Sequence, residues 1–457
     1  MRRRQKSVLV FALSMSLVAL TACGGGGSSS SSSAPAFGKD VSGTLKAWGF
    51  NNADDVGKAR LSYAQSQMSG VSISMDETAF DAQKFTTRAA SGNVPDVVQM
   101  DRQFVATYAA QGLIQPLDKC FSSYGVDPAK AFYPAVTGEV TYNGNIWAVP
   151  QFYQPAAIIL NKRVMDAAGV SAAEIDPSKP DTLLAAGQKM YKTSGGNPST
   201  LGFDPVPTGQ PELWLLSYGG RLMDDKGVPA LNDPNNAKAL ADLKRLTDAQ
   251  GGWAKVKSFT DAFDTFGKNN QYVKDQVGAQ VNAQWYVNVL TPYVNQIQIS
   301  AVPFKDQQGN PFTVASGTSF VIPVGAKNPN AACAWMIHLD SDAAWQAAGA
   351  ARAETLSKTP GSIFTGLFTG SPSADSLIRS KYVKPSGNAG FDETIATYYD
   401  IVDKGKSLGA SPAGQSIKTE LQNAITSALL GEKSPQQALS DAQNAAMRAY
   451  NQSGAGK

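Results

Sequence analysis

The chain has 457 residues, of which 42% are hydrophobic and 17% are charged, and its formal net charge is +3. This length predicts two or three domain-sized units, and the ordinary apolar fraction argues against disorder over most of the chain. The near-neutral charge argues against a nucleic-acid-binding surface. The single histidine, His338, argues against histidine-rich metal sites and histidine-based catalysis. The composition therefore favours binding over catalysis, and we expect no metal ion and no cofactor.

Residues 1–22 have the pattern of an export signal. Four basic residues within positions 2–6 precede an apolar stretch at residues 8–22, which is shorter than the ~20 residues that span a bilayer. The stretch ends in Leu20-Thr21-Ala22-Cys23, which resembles the lipobox of bacterial lipoproteins. That resemblance implies that Cys23 is lipidated and becomes the mature N-terminus. The alternative is a cleaved signal with an incidental cysteine.

Residues 23–37 are interpreted as the lipidated cysteine followed by a tether of glycine and serine. The tract lacks side chains to bury, so it predicts a flexible tether with an end-to-end distance of roughly 20 Å. We expect an exported protein that meets the membrane only through its lipid anchor and faces the periplasm or the cell exterior. Export also permits disulfides. Cys120 and Cys333 then remain as a pair, which forms either a disulfide or two buried thiols.

The chain after the tether alternates between strand and helix patterns. Strands are predicted at residues 44–48, 71–75 and 94–100, and helices follow each of them. This order predicts a parallel sheet covered by helices. Ligands of such sheets bind beyond the carboxyl ends of the strands, so the turns after Trp48 and Met100 are the first candidate positions.

Later segments continue the α/β pattern with more helix. Further strands are predicted at residues 144–150, 156–160, 277–281, 297–302 and 318–324. Residues 161–295 are otherwise mostly helical. Three helix starts are marked by a capping side chain before a proline, at Asp233-Pro234, Asn328-Pro329 and Ser434-Pro435.

The order of these segments resembles the extracellular solute-binding proteins of ATP-driven (ABC) importers, in the branch of maltose- and other sugar-binding lipoproteins. The likeness is carried by residues 91–101, 108–118, 142–150, 160–162, 277–285, 301–304, 322–332 and 434–443. No one stretch is specific, but together they extend over most of the chain in the family's order.

This resemblance implies a type II periplasmic-binding-protein-like fold of two α/β lobes, joined by hinge crossovers around a ligand cleft. The N-terminal lobe is predicted at residues 38–149 plus 304–349, and the C-terminal lobe at residues 150–303 plus 350–457. Ligand binding would shift an open–closed equilibrium. The closed form would dock on ABC permease subunits, and we expect the protein itself to be a monomer.

Four candidate ligand-binding residues lie in the first predicted lobe. Trp48 ends the first strand, where the family places a ligand-facing residue, and Asn51 and Asn52 follow in a polar turn. The alternative is a packing tryptophan beside a surface turn. Asp101 ends the third strand, where its carboxylate can accept hydrogen bonds from sugar hydroxyls or cap the next helix.

Three further candidates follow from the resemblance. Tyr153 and Gln154 come just after the crossover at Pro150. Gln154 matches a position that is acidic and ligand-binding in maltose-binding members, so the amide puts maltodextrin specificity in doubt. Trp285, in Asn282-Ala-Gln-Trp285, matches a tryptophan that stacks on a sugar ring. The alternative is a tryptophan of the core.

The last candidates are Ser316, Ser319 and Arg352. Ser316 and Ser319 bound a small polar loop whose backbone N–H groups could meet hydroxyls, or which is only a tight turn. Arg352 could clamp an acidic sugar or be a solvated surface residue.

We therefore expect a membrane-anchored receptor that captures a small neutral solute, a mono- or oligosaccharide, for import, and not an enzyme. One alternative is a receptor for a polyol, an amino acid or a polyamine. Another is an exported glycoside hydrolase, although no pair of acidic residues stands out at the strand ends.

Overall fold

The computed structural model describes residues 37–50, 53–359 and 361–453. The export signal, Cys23, nearly all of the tether, Asn51 and Asn52 lie outside the described residues. Within them the strands are β1 Gly43–Trp48, β2 Val71–Asp76, β3 Val97–Asp101, β4 Thr141–Tyr142, β5 Asn145–Ile146, β6 Val149–Pro150, β7 Ala156–Asn161, β8 Lys192–Ser194, β9 Asn197–Asp204, β10 Val277–Ala283, β11 Ile299–Val302, β12 Thr313–Val314, β13 Thr318–Val321 and β14 Gly405–Lys406.

The helices of the same residues are α1 Asp55–Ser66, α2 Ala82–Ala90, α3 Val105–Ala110, α4 Asp118–Ser123, α5 Pro128–Ala131, α6 Pro134–Gly138, α7 Lys162–Ala168, α8 Pro180–Met190, α9 Pro211–Ser217, α10 Pro234–Asp248, α11 Trp253–Thr260, α12 Trp285–Leu290, α13 Pro329–Leu339, α14 Asp342–Ser357, α15 Pro372–Tyr382, α16 Ala389–Ile401, α17 Gly414–Leu430 and α18 Pro435–Gln452. Among the described helices, none combines the length and the apolar character needed to cross a membrane.

The first sheet has the strand order β2-β1-β3-β13-β6. Strands β1, β2 and β3 are parallel, as the sequence pattern predicts. The prediction of a parallel sheet fails at β13, which is antiparallel to both β3 and β6. The returning chain enters at the edge where those two strands end, since Thr318 pairs with Asp101 and Ser319 pairs with Pro150. The ends of β3 and β6 and the start of β13 therefore share one edge.

The second sheet has the strand order β11-β7-β10-β9-β8. Strand β7 is antiparallel to β10 and β11, so the start of β7 lies beside the end of β10, where Ala156 pairs with Ala283. Only residues 151–155 separate the end of β6 from the start of β7. A connection this short brings the two sheet edges close together.

Each sheet has its own buried core. The first core includes Leu45 and Phe320, and the second includes Ile158 and Phe203. The limits of the two lobes stay a prediction. The chain is predicted to return to the N-terminal lobe near residue 304, and Phe304 itself packs with the core of the second sheet.

The predicted helix starts are confirmed. The side chains of Asp233, Asn328 and Ser434 each accept a hydrogen bond from a backbone N–H in the first turn of α10, α13 and α18, respectively. Along α18, one face formed by Leu439, Ala442, Ala446 and Tyr450 is buried in the second sheet's core. These short-range patterns were therefore sufficient to place the starts of three helices.

Cys120 of α4 and Cys333 of α13 form a disulfide inside the first core. Both cysteines are fully buried, and they are 213 positions apart in the sequence. The bond thus ties α4 to α13, two helices of the first core that are far apart in the sequence. Of the two alternatives that the sequence left open, a disulfide or two buried thiols, the structure has the disulfide.

We expect the Cys120→Ala, Cys333→Ala double variant to lose about 2–5 kcal/mol in free energy of unfolding. Cross-linking residues so far apart restricts the unfolded chain more than the folded one. Urea denaturation followed by circular dichroism measures the change, with reduced wild-type protein as the control. A double variant as stable as the oxidised wild type would contradict this prediction.

Candidate functional site

Two cavities lie where the two sheet edges meet, on either side of the segment at residues 151–155. The aromatic cavity has a volume of about 250 Å³ and is lined by Phe50, Arg60, Phe152, Gln154, Gln284, Trp285, Asn288, Arg352 and Phe368, among others. The polar cavity has a volume of about 200 Å³ and is lined by Asp101, Arg102, Gln103, Glu139, Gln154, Glu212, Ser316 and Lys418, among others. Gln154 lines both cavities.

Trp285 forms the exposed aromatic surface of the aromatic cavity. It begins α12, directly beyond the end of β10, and 38% of its surface is exposed. Its ring lies nearly parallel to that of Phe266, with ring centroids 5.9 Å apart and an interplanar angle of 16°. An exposed indole face is a suitable surface for the C–H groups of a sugar ring.

Arg352 projects into the same cavity but is already paired with carboxylates. Its Nε donates to Asp55 Oδ1 at 2.8 Å, and its Nη2 donates to Asp55 Oδ1 at 2.6 Å and to Asp54 Oδ2 at 3.0 Å. Burial raises the pKa of Asp55, but hydrogen bonds from Arg352 and Thr355 outweigh it and hold that pKa below its ordinary value. The guanidinium therefore lies between two carboxylates, and the three side chains together carry a formal charge of −1.

Arg60 of α1 is a second cationic side chain in this wall, and it is fully buried. Its guanidinium lies 3.8 Å from the ring centroid of Trp345 and forms an ion pair with Asp340. Burial lowers the pKa of Arg60 to about 10, so it stays charged at neutral pH. Burial also raises the pKa of Asp340 to about 7, although Arg60 opposes that shift.

In the polar cavity, residues at the end of β3 contact helices that pack on the second sheet. Lys418 Nζ of α17 donates to Asp101 Oδ2 at 3.0 Å, and Gln103 Nε2 donates to Glu212 Oε1 of α9 at 3.4 Å. Glu212 is buried, and its burial raises its pKa. Asp101 is thus paired with Lys418 and Gln103 with Glu212, whereas Gln103 Oε1, Gln210 Oε1 and Thr318 Oγ1 are buried in this lining without a hydrogen-bond partner among the described residues.

A wider groove lies beside the aromatic cavity, between α12 and α14. The groove has a volume of about 670 Å³, and it shares Asp54, Asn288 and Arg352 with the aromatic cavity. The two spaces therefore adjoin at these three residues.

The structure brings together some of the candidates predicted from the sequence. Gln154, Trp285 and Arg352 line the aromatic cavity. Asp101, Gln154 and Ser316 line the polar cavity, where Ser316 Oγ donates to Gln154 O at 3.2 Å. As binding residues, all five stay predictions.

Trp48, Tyr153 and Ser319 are not among the lining residues of either cavity, and all three are buried. The Trp48 indole donates to Thr78 Oγ1 at 3.1 Å and is 1% exposed. The Tyr153 ring packs on Tyr133, and Ser319 lies within β13. The structure therefore places these three in the interior: a position near a strand end does not fix which way the side chain points.

Sequence reasoning missed Arg60, Gln284 and Asn288. Gln284 and Asn288 had a usable signal, because one precedes Trp285 and the other follows it by one turn of α12. Arg60 had none, since a charged residue on a helix such as α1 normally indicates a solvated face.

Comparison with known proteins gives one family match. The family model described as bacterial extracellular solute-binding protein matches residues 78–345, which is more than half of the chain. The match includes β3, the segment 151–155, β13 and Trp285.

Solved structures resemble the chain over nearly its whole length. CpMnBP1 with mannotriose bound is 22% identical, with a TM-score of 0.69 over 88% of this chain and 99% of that one. The GacH receptor of Streptomyces glaucescens, solved unliganded and with acarbose, is 20% identical, with a TM-score of 0.66 over 90% and 99%. The sugar-binding protein MalE of Xanthomonas citri is 15% identical, with a TM-score of 0.67 over 90% and 98%. These similarities confirm the predicted two-lobed α/β fold.

Proposed function

The chain belongs to the family of bacterial extracellular solute-binding proteins, and from this membership we propose that it is the substrate-binding component of an ABC importer that captures a small neutral solute, a mono- or oligosaccharide. The observation that carries the proposal is the aromatic cavity between the two sheets. There an exposed tryptophan face is combined with amide side chains and with charges that are already paired. This combination suits a polyhydroxylated ligand.

Three features support the ligand class. Proteins of the same fold have been solved with mannotriose and with acarbose. The amide of Gln154 offers hydrogen bonds without charge. The groove between α12 and α14 gives room for more than one sugar ring, which favours an oligosaccharide.

We propose that the solute is held by closure of the two lobes, within the limits predicted from the sequence, and is then delivered to a permease. A ligand that contacts both lobes favours the closed state because it binds that state more tightly. In this role the solute is released unchanged, so no catalytic step is needed.

We also propose that Cys23 carries the lipid anchor. The support is the sequence alone: the basic start, the short apolar stretch and Leu20-Thr21-Ala22-Cys23 followed by the glycine and serine tract. Two acyl chains suffice for stable anchoring, whereas one is marginal.

In cells fed labelled palmitate, we expect the wild-type protein to carry the label and the Cys23→Ser variant to lose it. A thiol is needed at this position for the first acyl transfer, and a hydroxyl does not replace it. The Ser28→Ala variant, altered in the tether, serves as the control and should be labelled like the wild type. Equal labelling of the Cys23→Ser variant would refute the anchor.

In a thermal-shift screen, we expect at least one neutral sugar among mannobiose, maltose, maltotriose and tagatose to raise the melting temperature. At 100 times its Kd, a ligand adds about 2.7 kcal/mol, which corresponds to about 3 °C for a protein of this size. Sorbitol, amino acids and spermidine form the comparison set. A shift with those alone would refute the sugar assignment, and turnover of the bound sugar, followed by chromatography, would refute the role of a receptor.

For the sugar that gives the largest shift, we expect Trp285→Ala to weaken binding by about 10-fold or more, because the ring contact is lost. Trp285→Phe keeps an aromatic face and should bind within a few-fold of the wild type. Isothermal titration calorimetry measures both affinities. Full affinity in Trp285→Ala would show that this residue lies outside the binding site.

A further inference from the structure

The wall of the aromatic cavity contains two buried hydrogen-bonding atoms that have no partner among the described residues. One is Nη1 of Arg60 and the other is Oε1 of Gln284. Leaving such an atom unpaired in the interior is unfavourable. Both side chains therefore have a hydrogen-bonding group that the described residues do not use.

Arg60 is held so that only one end of its guanidinium remains unused. Its Nε donates to the carbonyl oxygen of Leu339 at 3.0 Å, and its Nη2 is paired with Asp340. Its plane lies over the ring of Trp345. A planar guanidinium fixed at Nε and Nη2 also fixes the direction of Nη1. Arg60 therefore presents a pre-oriented donor.

Gln284 provides the complementary group. It lies between the end of β10 and the start of α12, where its backbone N–H donates to the carbonyl oxygen of Pro155 at 3.0 Å. That bond anchors Gln284 to the segment that joins the two sheets. The aromatic cavity thus has an unpaired donor from the helix α1 and an unpaired acceptor from the end of β10.

The presence of one donor and one acceptor constrains the chemistry of the ligand. A carboxylate accepts hydrogen bonds but does not donate them, and an ammonium donates but does not accept them. A hydroxyl does both. A ligand that carries several hydroxyls therefore satisfies both atoms without carrying a charge.

We infer that Arg60 and Gln284 bind hydroxyl groups of the solute in the aromatic cavity, and that together they select an uncharged polyhydroxylated ligand over an acidic or a cationic one. This inference rests on the proposed function and assigns to Arg60 a role in specificity. The ion pair with Asp340 is part of that role, since it cancels the charge that would otherwise attract an anion.

The test is calorimetric titration of the full-length protein with mannobiose, maltose or tagatose, using whichever of the three the wild type binds most tightly. Arg60→Lys keeps a cation for Asp340 but removes Nη1, so we expect affinity to fall about 10- to 100-fold. Gln284→Met keeps the length of the side chain but removes the acceptor, and we expect a fall of about 10-fold. Gln284→Glu keeps an acceptor and should bind more tightly than Gln284→Met.

Arg163→Lys is the matched control. Every nitrogen of the Arg163 guanidinium has a partner, in Asp275 or in backbone carbonyls of residues 272, 273 and 296, and Arg163 lines neither cavity. Its affinity should equal that of the wild type. Melting curves without sugar show whether each variant folds. If Arg60→Lys does not fold, the affinity of Gln284→Met tests the inference.

Wild-type affinity in a folded Gln284→Met variant, or in a folded Arg60→Lys variant, would overturn the inference while leaving the proposed function intact. Tighter binding of glucuronate than of glucose would overturn the selection of a neutral ligand. A wild-type protein that binds none of the three sugars would instead overturn the proposed function, and the inference with it.

Discussion

The structure depends on one buried guanidinium, that of Arg102, at the end of β3. Its Nη1 donates to the carbonyl oxygens of Phe152 at 2.6 Å and Thr318 at 3.2 Å, and its Nη2 donates to that of Ala315. Phe152 lies in the segment 151–155 that joins the two sheets, Ala315 lies shortly before β13, and Thr318 is the first residue of β13. Buried carbonyls need partners, and a single planar fork supplies several at fixed angles. Arg102 therefore ties the segment 151–155 and the chain entering β13 to the end of β3.

A neighbouring carboxylate balances the charge of Arg102, and the arginines of the aromatic cavity are paired with carboxylates in the same way. Its Nε donates to Glu139 Oε2 at 2.8 Å, and burial raises the pKa of Glu139 to about 7 although Arg102 opposes the shift. Arg60 with Asp340 and Arg352 with Asp55 follow the same arrangement. A buried ion that lost its partner would be strongly destabilised.

Much of the fold could be predicted because its signals are local. The strand patterns and the caps before prolines depend on residues close in sequence, and the family-like segments located Gln154 and Trp285. The antiparallel entry of β13 depends on the path of the returning chain, which no local pattern encodes. The disulfide of Cys120 and Cys333 depends on the spatial proximity of two residues that are 213 positions apart in the sequence. Arg60 was missed for the same reason, since its partners Asp340 and Trp345 are nearly three hundred positions away.

Trp48 and Trp285 show why the predicted strand ends were only partly informative. Trp48 is the last residue within β1, so the pleat and the neighbouring strands decide its direction, and it packs on Phe80 in the interior. Trp285 lies two residues beyond the end of β10, where the backbone has left the sheet and turns into α12. Gln154 and Gln284 also lie just outside their strands. In this architecture, connections at the sheet edges supply Gln154 and Gln284 to the candidate site, whereas Arg60, Asn288 and Arg352 come from the helices α1, α12 and α14.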